Sequence, residues 1–462
     1  MIMGCTSDAG KSFLVAAICR HLANRGLRVA PFKAQNMSNN AAVTQDGCEI
    51  GRAQYLQALA ARAVPEARMN PILLKPSADT HSQVIVMGRV DPASSAQSWG
   101  ERAETLWPVV CAALHGLLED YEQVVIEGAG SPAEINLRPT DIVNMRVALE
   151  TRADGYLVVD IDRGGAFAHL LGTWMCLEPE ERARIRGFVL NKFRGDPALL
   201  GQAREWLYER TGVPTVALIP MIRHRLPEED TLHHRARPSD GTVNIALLAY
   251  PYASNLDEFD PLVFEPGVTL VPIREWTPLD RFHAVVLPGS KNTVQSLAYL
   301  RETGLAAQVV RAAEKGTPIF GVCGGLQILG RQIHDPDHVE GGDAAGLGLL
   351  DLVTTLTSEK VTRQRAARWA EGGLVHGYEI HHGRTEVGPS VSMHLDQGLG
   401  WQQGNVWGVY LHGVLESAAY RQRFLERLGW QGRAQEWSAT VDAELDRVAR
   451  LIEETGWVLD RS

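Results

Sequence analysis

The sequence predicts an α/β fold: two doubly wound, mostly parallel sheets, one in each half of the chain, followed by a C-terminal helical tail. Short β-branched runs alternate with longer helical patterns, which is typical of this fold class. The runs are apolar almost throughout, as expected for parallel strands that are buried on both faces. A polar segment with Pro and Gly at 235–241 comes directly before a new strand and indicates a domain boundary. We therefore expect domains at 1–237 and 242–430 and a helical extension at 431–462.

Each expected element follows from its local pattern. Helices are expected at 11–25 and 105–120, where apolar residues recur at helical spacing. In the tail, Leu445, Val448, Leu451 and Ile452 fall on one face of a further helix, and such a face is typical of a helix that docks on a folded domain. The apolar runs expected to form strands are 123–127, 155–160, 187–191, 243–249, 284–287 and 318–322.

Composition excludes several classes of protein. The formal net charge of −10 argues against a protein that coats nucleic acid. No run of 18 apolar residues is present, so no transmembrane helix is expected, and the start of the chain lacks the basic and apolar regions of a signal peptide. The six cysteines are scattered without CxxC spacing, which disfavours a disulfide framework or a zinc knuckle. A location in the cytoplasm, away from membranes, fits these features best.

A glycine-rich loop near the start of the chain predicts a phosphate site. Residues 4–12 read GCTSDAGKS and lead directly into a helical pattern. Backbone N–H groups of such a loop and the following helix N-terminus favour anions, Lys11 reaches the β- and γ-phosphates, and the Ser12 hydroxyl binds Mg²⁺. Three residues precede Gly4, so the first strand is expected to be shorter than the usual length of about five residues. The remaining loop residues expected to contact nucleotide are Thr6, Ser7, Asp8 and Gly10.

Two other strand ends fit a nucleotide site. Glu127 ends a strand, and carboxylates at the carboxyl ends of strands in an open α/β sheet lie where ligands bind. We expect Glu127 to be a Mg²⁺ ligand. Asn191 and Lys192 end another strand and are candidates for contact with the nucleotide base.

Several motifs in this half resemble known families. The five-residue spacing between Gly4 and Gly10, Phe32-Lys33, and the strand ending in Glu127-Gly-Ala-Gly resemble dethiobiotin synthetases. Five further segments are similar to the cobyric acid synthase family, and the matched motifs extend from Gly4 to Gly413. These segments are KAQNMSNN (33–40), EIGRAQ (49–54), DIDRGG (160–165), NKFRGD (191–196) and LPEED (226–230).

The resemblance implies a P-loop NTPase-like synthetase domain that uses ATP and Mg²⁺ to amidate a corrinoid. The implied substrate is adenosyl-cobyrinic acid a,c-diamide, whose b, d, e and g carboxylates would be amidated to give adenosyl-cobyric acid. A carboxylate must be activated before amidation, and ATP does this by forming an acyl phosphate. The cationic groups expected to neutralise the transferring phosphoryl group are Lys11, Lys33, Lys75 and Arg163. The dethiobiotin synthetase resemblance implies Glu49 or Asp46 as a further Mg²⁺ ligand, and the choice between them stays open.

The second half carries a pattern typical of a cysteine nucleophile. Residues 318–330 read as a strand, a sharp turn and a helix, with Cys323 at the turn. Gly321-x-Cys323-x-Gly325 has the form of a nucleophile elbow, in which glycines permit a strained turn. A helix N-terminus beneath the sulfur favours the thiolate.

A cysteine nucleophile requires a base, and His412 at the end of a strand has the best context among the 15 histidines. His381 and His382 are its rivals. The N–H groups of Gly289, in a turn after a strand, and of Gly324 are candidates for the oxyanion hole.

This half resembles class I glutamine amidotransferases of the cobyrinate pathway. The resemblance implies that glutamine is the nitrogen donor and that an acid follows the histidine by two positions, but Val414 stands there. Glu416, Glu379 or no residue at all remain as the third member of the site. Since free ammonia is mostly protonated at neutral pH, we expect a tunnel or closed interface between the two domains.

Three alternatives compete with this interpretation. The first is a cobyrinic acid a,c-diamide synthase, which the segments 33–40 and 49–54 disfavour. The second is a ParA/MinD-like ATPase switch, but the signature lysine of those loops is absent from residues 5–8. The third is an inactive scaffold, against which Lys11 and Cys323 argue. The sequence leaves the oligomeric state open.

Overall fold

The computed structural model describes residues 1–78, 81–227, 242–457 and 459, and its first half is built around short parallel strands. Its strands are β1 (Ile2–Gly4), β2 (Val29–Phe32), β3 (Gln35–Met37), β4 (Ala41–Val43), β5 (Glu49–Gly51), β6 (Ile72–Ala78), β7 (His81–Val86), β8 (Arg89–Val90), β9 (Gln123–Ile126), β10 (Gly155–Asp160), β11 (Ile185–Phe193) and β12 (Thr215–Pro220). Its helices are α1 (Lys11–Asn24), α2 (Arg52–Ala60), α3 (Pro92–Ala96), α4 (Trp99–Asp120), α5 (Met145–Thr151), α6 (Ala166–Cys176), α7 (Pro179–Arg182) and α8 (Ala203–Thr211).

The second half contains a larger sheet and a long hairpin. Its strands are β13 (Val243–Leu248), β14 (Ala253–Ser254), β15 (Val268–Ile273), β16 (Ala284–Leu287), β17 (Gly289–Ser290), β18 (Ile319–Val322), β19 (Gln332–His334), β20 (Ala344–Ala345), β21 (Leu352–Arg368), β22 (Leu374–Val387), β23 (Ser392–Leu395), β24 (Gly400–Gln403) and β25 (Val406–Val409). Its helices are α9 (Asp260–Val263), α10 (Thr293–Glu302), α11 (Leu305–Glu314), α12 (Gly324–Leu329), α13 (Ala418–Glu426) and α14 (Trp437–Glu454).

Strand β1 is short but lies inside its sheet. It pairs in parallel with β10, and a bridge between Ile2 and Glu127 joins it to β9, which pairs in parallel with β2. Backbone bonds extend the ladder beyond the strand: Tyr156 N–H donates to Met1 O and Cys5 N–H to Val158 O. The predicted short first strand is confirmed. Because these flanking bonds hold β1 inside the sheet, the phosphate loop that follows it begins at a central strand.

The segment between β2 and β9 adds two small sheets. Strands β3, β6, β7 and β8 form one, and the hairpin β4–β5 forms the other. Ala41 and Val43 of the hairpin pack with Tyr378 and Ile380 of β22 in one apolar cluster. This addition, which sequence patterns did not predict, therefore brings the first half against the second.

The main sheet of the second half is mostly parallel, as predicted. Its strand order is β15-β13-β16-β18-β25-β24-β23, and the last two strands are antiparallel. Parallel strands β16, β18 and β25 end at one edge, which places the turns that follow them side by side. Cys323 and His412 follow two of these strands.

Helix α14 returns to the first half and packs on α1. Val441, Leu445 and Val448 of α14 share one apolar core with Leu14 and Ile18 of α1. Arg20 of α1, which is buried, forms an ion pair with Asp442. The tail therefore contributes to the core of the domain at the opposite end of the chain.

Replacing Leu445 with alanine tests this packing. Leu445 is 1% exposed, so we expect the free energy of unfolding, measured by urea denaturation, to fall. The lost burial and the cavity together cost about 2–5 kcal/mol. Leu199, which is 81% exposed, is the control, because Leu199→Ala is expected to change stability by less than about 0.5 kcal/mol. Equal losses in the two variants would contradict the packing.

Part of the predicted organisation lies outside the described residues. This holds for the expected boundary segment 235–241 and for residues 228–230 of the LPEED segment. Among the helices that the structure describes, none combines the length and apolar character needed to cross a membrane.

Candidate active sites

Cys323 occupies a strained turn between β18 and α12. Its φ of +50° and ψ of −107° lie in a region that residues other than glycine rarely adopt. The flanking glycines leave room for the turn, since a Cβ on Gly325 would lie 2.0 Å from the carbonyl oxygen of Leu287, and one on Gly321 would lie 2.7 Å from the carbonyl carbon of Gly325. The thiol is thus held at a sharp turn by its immediate sequence, as expected of a nucleophile elbow.

His412 is buried next to the thiol and is held by an acid. Its Nδ1 lies 3.0 Å from Glu258 Oε1, and the second oxygen of Glu258 accepts the N–H of Gly413 at 3.2 Å. The ring of Tyr378 stacks on the imidazole with centroids 5.2 Å apart. With Nδ1–H donated to Glu258, Nε2 is left for the hydrogen bond with Cys323.

The surroundings of His412 favour its charged form. Burial lowers the pKa of His412, but the charge of Glu258 and the hydrogen bonds with Cys323 and Glu258 outweigh burial and raise it to about 10. At neutral pH the imidazole therefore carries a proton. A neighbouring imidazolium stabilises a negatively charged sulfur, which is the reactive form of a cysteine.

The acid beside His412 is Glu258, and neither carboxylate expected from the sequence takes this place. Glu416 instead binds Arg52 at 2.6 Å. Glu379 instead binds Arg363 at 2.6 Å. Glu258 precedes His412 by 154 positions, so no local spacing relates the two residues. One pattern in the sequence could have identified Glu258. The two acids at 257–258 stand between apolar Leu256 and Phe259, and this arrangement indicates buried carboxylates.

The other two candidates for the base, His381 and His382, have other partners. His381 stacks on Tyr410 with ring centroids 4.0 Å apart, and its Nε2 lies 3.3 Å from Glu379 Oε1. His382 Nδ1 lies 2.9 Å from the carbonyl oxygen of Thr357.

Replacing Glu258 with glutamine is expected to lower the rate of the glutamine hydrolysis that the sequence resemblance implies by roughly 10²- to 10⁴-fold, because the amide cannot hold the imidazolium in its orientation. Loss of the carboxylate also lowers the pKa of His412, so the alkaline limb of the pH–rate profile moves to lower pH. Glutamate release measured from pH 5 to 10 checks both effects. Glu416→Gln is the matched control, and an equal fall in that variant would contradict the assignment.

Gly289 and Gly324, the two candidates for the oxyanion hole, lie close to the Cys323 thiol and the His412 imidazole. A Cβ on Gly289 would lie 3.1 Å from His412 Cε1, and one on Gly324 would lie 2.8 Å from the backbone nitrogen of Ser290. The structure therefore brings both glycines to the site. Their assignment to an oxyanion hole stays a prediction.

The phosphate loop connects β1 to α1. Gly10 has a φ of +89°, which strongly favours glycine, and a Cβ there would lie 2.2 Å from Asn191 Nδ2, so any larger residue would also displace the asparagine side chain. Lys11, the first residue of α1, is buried, and its Nζ donates to the carbonyl oxygen of Gly130 over a long distance of 3.5 Å. Burial lowers the pKa of Lys11, which is the expected effect of a desolvated ammonium. A loop of this shape beside a weakly paired ammonium fits the phosphates of a nucleotide. Thr6 is half-buried, whereas Ser7 and Asp8 are exposed at the tip of the loop.

Three predicted residues support this loop from the neighbouring strands. Asn191 Nδ2 donates to the carbonyl oxygen of Ala9 at 2.8 Å. Lys192 Nζ donates to the carbonyl oxygen of Asp8 and to Asp160 Oδ2, each at 2.9 Å. Arg163 lies 3.3 Å from the Asp8 carboxylate. All three therefore reach the loop, and their direct contact with a nucleotide stays a prediction.

Ser12 and Glu127 meet directly beneath the loop. Ser12 Oγ donates to Glu127 Oε1 at 2.8 Å, and Lys33 Nζ lies 2.9 Å from the same oxygen. Gln57 of α2 donates to Glu127 Oε2 at 2.5 Å. A hydroxyl and a carboxylate are hard oxygen donors of the kind that Mg²⁺ prefers when phosphates and water complete its shell, so this donor set fits the ion.

The two candidates for a further Mg²⁺ ligand lie elsewhere. Glu49 is buried between Lys75, at 2.7 Å, and Lys360 of β21. Asp46 lies at the exposed turn between β4 and β5 and accepts from Thr44. Neither is described in contact with Ser12 or Glu127. In the described parts of the chain, no group of three or more His, Cys, Asp and Glu side chains is arranged to hold a metal ion.

Comparison with known proteins identifies the family. Residues 1–231 match the model of the CobQ/CobB/MinD/ParA nucleotide binding domain, and residues 244–420 match that of the CobB/CobQ-like glutamine amidotransferase domain. The cobyric acid synthase of Deinococcus radiodurans is 54% identical, and the alignment covers 98% of each chain. The chain belongs to the cobyric acid synthase family. The cobyric acid synthase of Variovorax paradoxus is a further relative, 50% identical over 98% of this chain and 96% of its own.

Membership of the cobyric acid synthase family confirms the resemblance stated from sequence and the predicted α/β fold. It also confirms that the chain is an enzyme with a glutamine amidotransferase domain and a nucleotide-binding domain. The alternatives of a cobyrinic acid a,c-diamide synthase and of an ATPase switch are disfavoured accordingly.

In this cobyric acid synthase family member the two halves meet beside Cys323 and His412. Asn255 N–H donates to Asn40 Oδ1 at 2.7 Å, and Ala41 N–H donates back to Asn255 Oδ1 at 3.0 Å. Arg52, at the start of α2, binds Asp257 at 2.6 Å, one residue from Glu258. The family motifs at 33–40 and 49–54 therefore form part of the contact with the second half.

One polar cavity spans this contact. It is lined by Cys323 and His412 on one side and by Asn39 and Lys75 of the first half on the other. The thiol thus opens towards residues of the nucleotide-binding domain.

Proposed function

We propose that the chain uses ATP and glutamine to amidate the b, d, e and g carboxylates of adenosyl-cobyrinic acid a,c-diamide, giving adenosyl-cobyric acid. The main support is the cavity that Cys323 and His412 share with Asn39 and Lys75, because it joins an ammonia-producing thiol to the domain that would bind ATP. The names of the relatives support a corrinoid product.

In the glutaminase reaction, the Cys323 sulfur attacks the side-chain amide of glutamine. His412 holds the thiol proton and gives it to the departing ammonia, which leaves a thioester on the sulfur. His412, now neutral, takes a proton from water, and the resulting attack releases glutamate. Glu258 orients the imidazole and stabilises its charge during both steps, a role supported by the 3.0 Å contact.

In the synthetase reaction, a substrate carboxylate attacks the γ-phosphate of ATP, the bond to the β–γ bridging oxygen breaks, ADP leaves, and an acyl phosphate forms. Lys11 and Lys33 neutralise charge on the phosphoryl group, supported by their burial near the loop and Glu127. Bound Mg²⁺ would supply further charge neutralisation at the phosphates, held by Ser12 and Glu127. Ammonia then attacks the acyl carbon, and phosphate leaves.

The transfer of ammonia between the sites fits an enclosed route. Free ammonia would be protonated in water at neutral pH and would lose its nucleophilic lone pair. The contacts of Asn40 with Asn255 and of Arg52 with Asp257 join the two halves near the cavity, and this proximity supports the short route between the domains expected from the sequence.

Mass spectrometry of the corrinoid tests this function. Wild-type protein is incubated with adenosyl-cobyrinic acid a,c-diamide, ATP and Mg²⁺, with glutamine or ammonium chloride as the nitrogen source. We expect four amides to be added from either source. In a parallel reaction with cobyrinic acid, amidation at two positions only would indicate the sister reaction. No amide on the a,c-diamide from either nitrogen source would overturn the proposal.

A further inference from the structure

A large cleft lies beside helix α2, with a volume of about 840 Å³. This volume is in the range of sites that hold a small organic molecule. The residues of α2 that line the cleft share one face of the helix, and they are Arg52, Tyr55, Leu56 and Leu59. Gln57, which donates to Glu127 beneath the phosphate loop, lies on another face. Helix α2 therefore separates the cleft from the phosphate loop, and no described residue lines both the cleft and the cavity at Cys323.

The tail helix α14 begins at this cleft. Its first three residues, Trp437, Ser438 and Ala439, all line the cleft, and the last two are exposed. The residue before them, Glu436, makes no capping hydrogen bond with its side chain, and the first turn contains no acidic residue. The N–H groups of a first turn have no partner inside the helix, so an uncapped turn offers donors to an anion.

Arg20 of α1 is the second group in the cleft that points to an anion. It lines the cleft and is 1% exposed. Its Nη2 donates to Asp442, but its Nε and Nη1 are buried atoms without a hydrogen-bond partner within the described residues. Asp446 lies 3.8 Å from Nε, which is too far for a hydrogen bond. Buried polar atoms are nearly always paired, so two unpaired donors on one guanidinium indicate a ligand that accepts hydrogen bonds.

The carboxylates that line the cleft are paired. Among the described lining residues the acids are Asp442 and Glu416. Arg20 binds the first of them, and Arg52 binds the second. A third arginine, Arg365, also lines the cleft, and the carboxylate of Glu379 lies 3.6 Å from its Nε. The described lining therefore presents guanidinium groups without an unpaired carboxylate, which favours an anion.

The other walls of the cleft suit a carbon skeleton. Tyr55 and Leu59 of α2 lie on one side and Trp437 of α14 lines another, and Leu59 is 41% exposed. Apolar and aromatic side chains with a few convergent polar groups are typical of sites for small organic ligands. A phosphate group carries three acceptor oxygens, enough for the two free donors of Arg20 and for an N–H group of the helix.

We propose that this cleft is a further ligand site, which binds an organic phosphate with an aromatic or apolar body. The phosphate oxygens accept hydrogen bonds from Arg20 and from the first turn of α14, and the body lies against Tyr55 and Leu59. The site goes beyond the proposed function, because α2 separates it from the phosphate loop and it shares no described lining residue with the cavity at Cys323. Binding there changes no covalent bond.

The test measures the binding of phenyl phosphate to the full chain by isothermal titration calorimetry and compares two substitutions of Ser438. Ser438→Asp places a negative charge in the first turn of α14, where an acid stabilises a helix, so this variant should fold. Ser438→Asn has nearly the same shape without the charge and is the matched control. Phenyl phosphate that binds at the phosphate loop contributes equally to all three proteins, because the substitutions lie on α14.

We expect Ser438→Asp to weaken the binding of phenyl phosphate by roughly 5- to 50-fold, because the added carboxylate repels the phosphate at short range. Ser438→Asn should change the affinity by less than about two-fold, as is usual for an exposed position. Leu59→Ala should weaken the binding of phenyl phosphate and leave the binding of inorganic phosphate unchanged, because only the first has a ring to place against α2.

Three results would overturn the inference. The first is that phenyl phosphate at millimolar concentration does not bind to the wild-type protein. The second is an equal affinity in Ser438→Asp and Ser438→Asn, since binding would then take place away from the start of α14. The third is a KM for the corrinoid that rises in Ser438→Asp and not in Ser438→Asn, because the cleft would then hold the substrate of the amidation.

Discussion

Replacing Cys323 with serine is expected to abolish amide formation from glutamine and to leave amide formation from ammonium intact. The hydroxyl fits the space of the thiol, but a serine is not ionised near neutral pH and gains nothing from the charged His412 beside it. The glutamine-dependent rate should fall at least about 10³-fold, as for removal of other catalytic nucleophiles. The ammonium-dependent rate should stay within about two-fold of wild type, because the phosphate loop is unaffected.

Mass spectrometry of the corrinoid and an assay of glutamate release measure the two rates. Cys111→Ser is the matched control, because Cys111 lies on α4 in the first half and is not part of either site. Glutamine-dependent amidation by Cys323→Ser at a rate near that of wild type would remove the thiol from the mechanism. Equal loss with ammonium would instead mean that the substitution damages the synthetase half.

Replacing Lys11 with methionine is expected to lower amide formation from both nitrogen sources by about 10²- to 10³-fold, the usual effect of losing one group that stabilises a transition state. Methionine matches the aliphatic part of the lysine, so the buried site should stay packed. Within the described residues, the closest hydrogen bond of the lost ammonium is the 3.5 Å contact of Lys11 Nζ with the carbonyl oxygen of Gly130. The failure with ammonium is what distinguishes this variant from Cys323→Ser.

The control for Lys11→Met is Lys315→Met, which removes an exposed lysine that pairs with Asp280 far from the loop. Corrinoid amides and phosphate release are measured with ammonium chloride as the nitrogen source. Near-normal amidation by Lys11→Met would contradict the assignment of ATP to this loop.

The parts of the fold that were predicted from sequence depend on local constraints. The turn at Cys323 needs glycine on both sides because backbone atoms of α12 and β16 lie within 3 Å of any added Cβ, and such glycines are visible in the sequence. The strand 155–160 and the strand 284–287 were predicted with the bounds that the structure has, since their apolar runs end abruptly.

The parts that were missed depend on distant residues. Glu258 reaches His412 across 154 positions, and Glu49 reaches Lys360 across 311 positions. Strands β3, β4 and β5 have only three residues each, too few for an alternating pattern to appear. The apolar face of the tail helix was predicted, but periodicity cannot identify the surface that covers it, which is α1 at the other end of the chain.

Helix α14 packs on the first domain, so the two domains are joined in two ways. One is the chain segment 228–241, and the other is the non-covalent contact between α14 and α1. A cut in the first connection would leave the second in place, so the two fragments would stay at a high effective concentration relative to each other. The amidotransferase fragment expressed alone would instead carry an unpaired apolar helix face, which favours aggregation. We therefore expect that two fragments of this enzyme assemble when they are co-expressed, because α14 of the second fragment packs on α1 of the first.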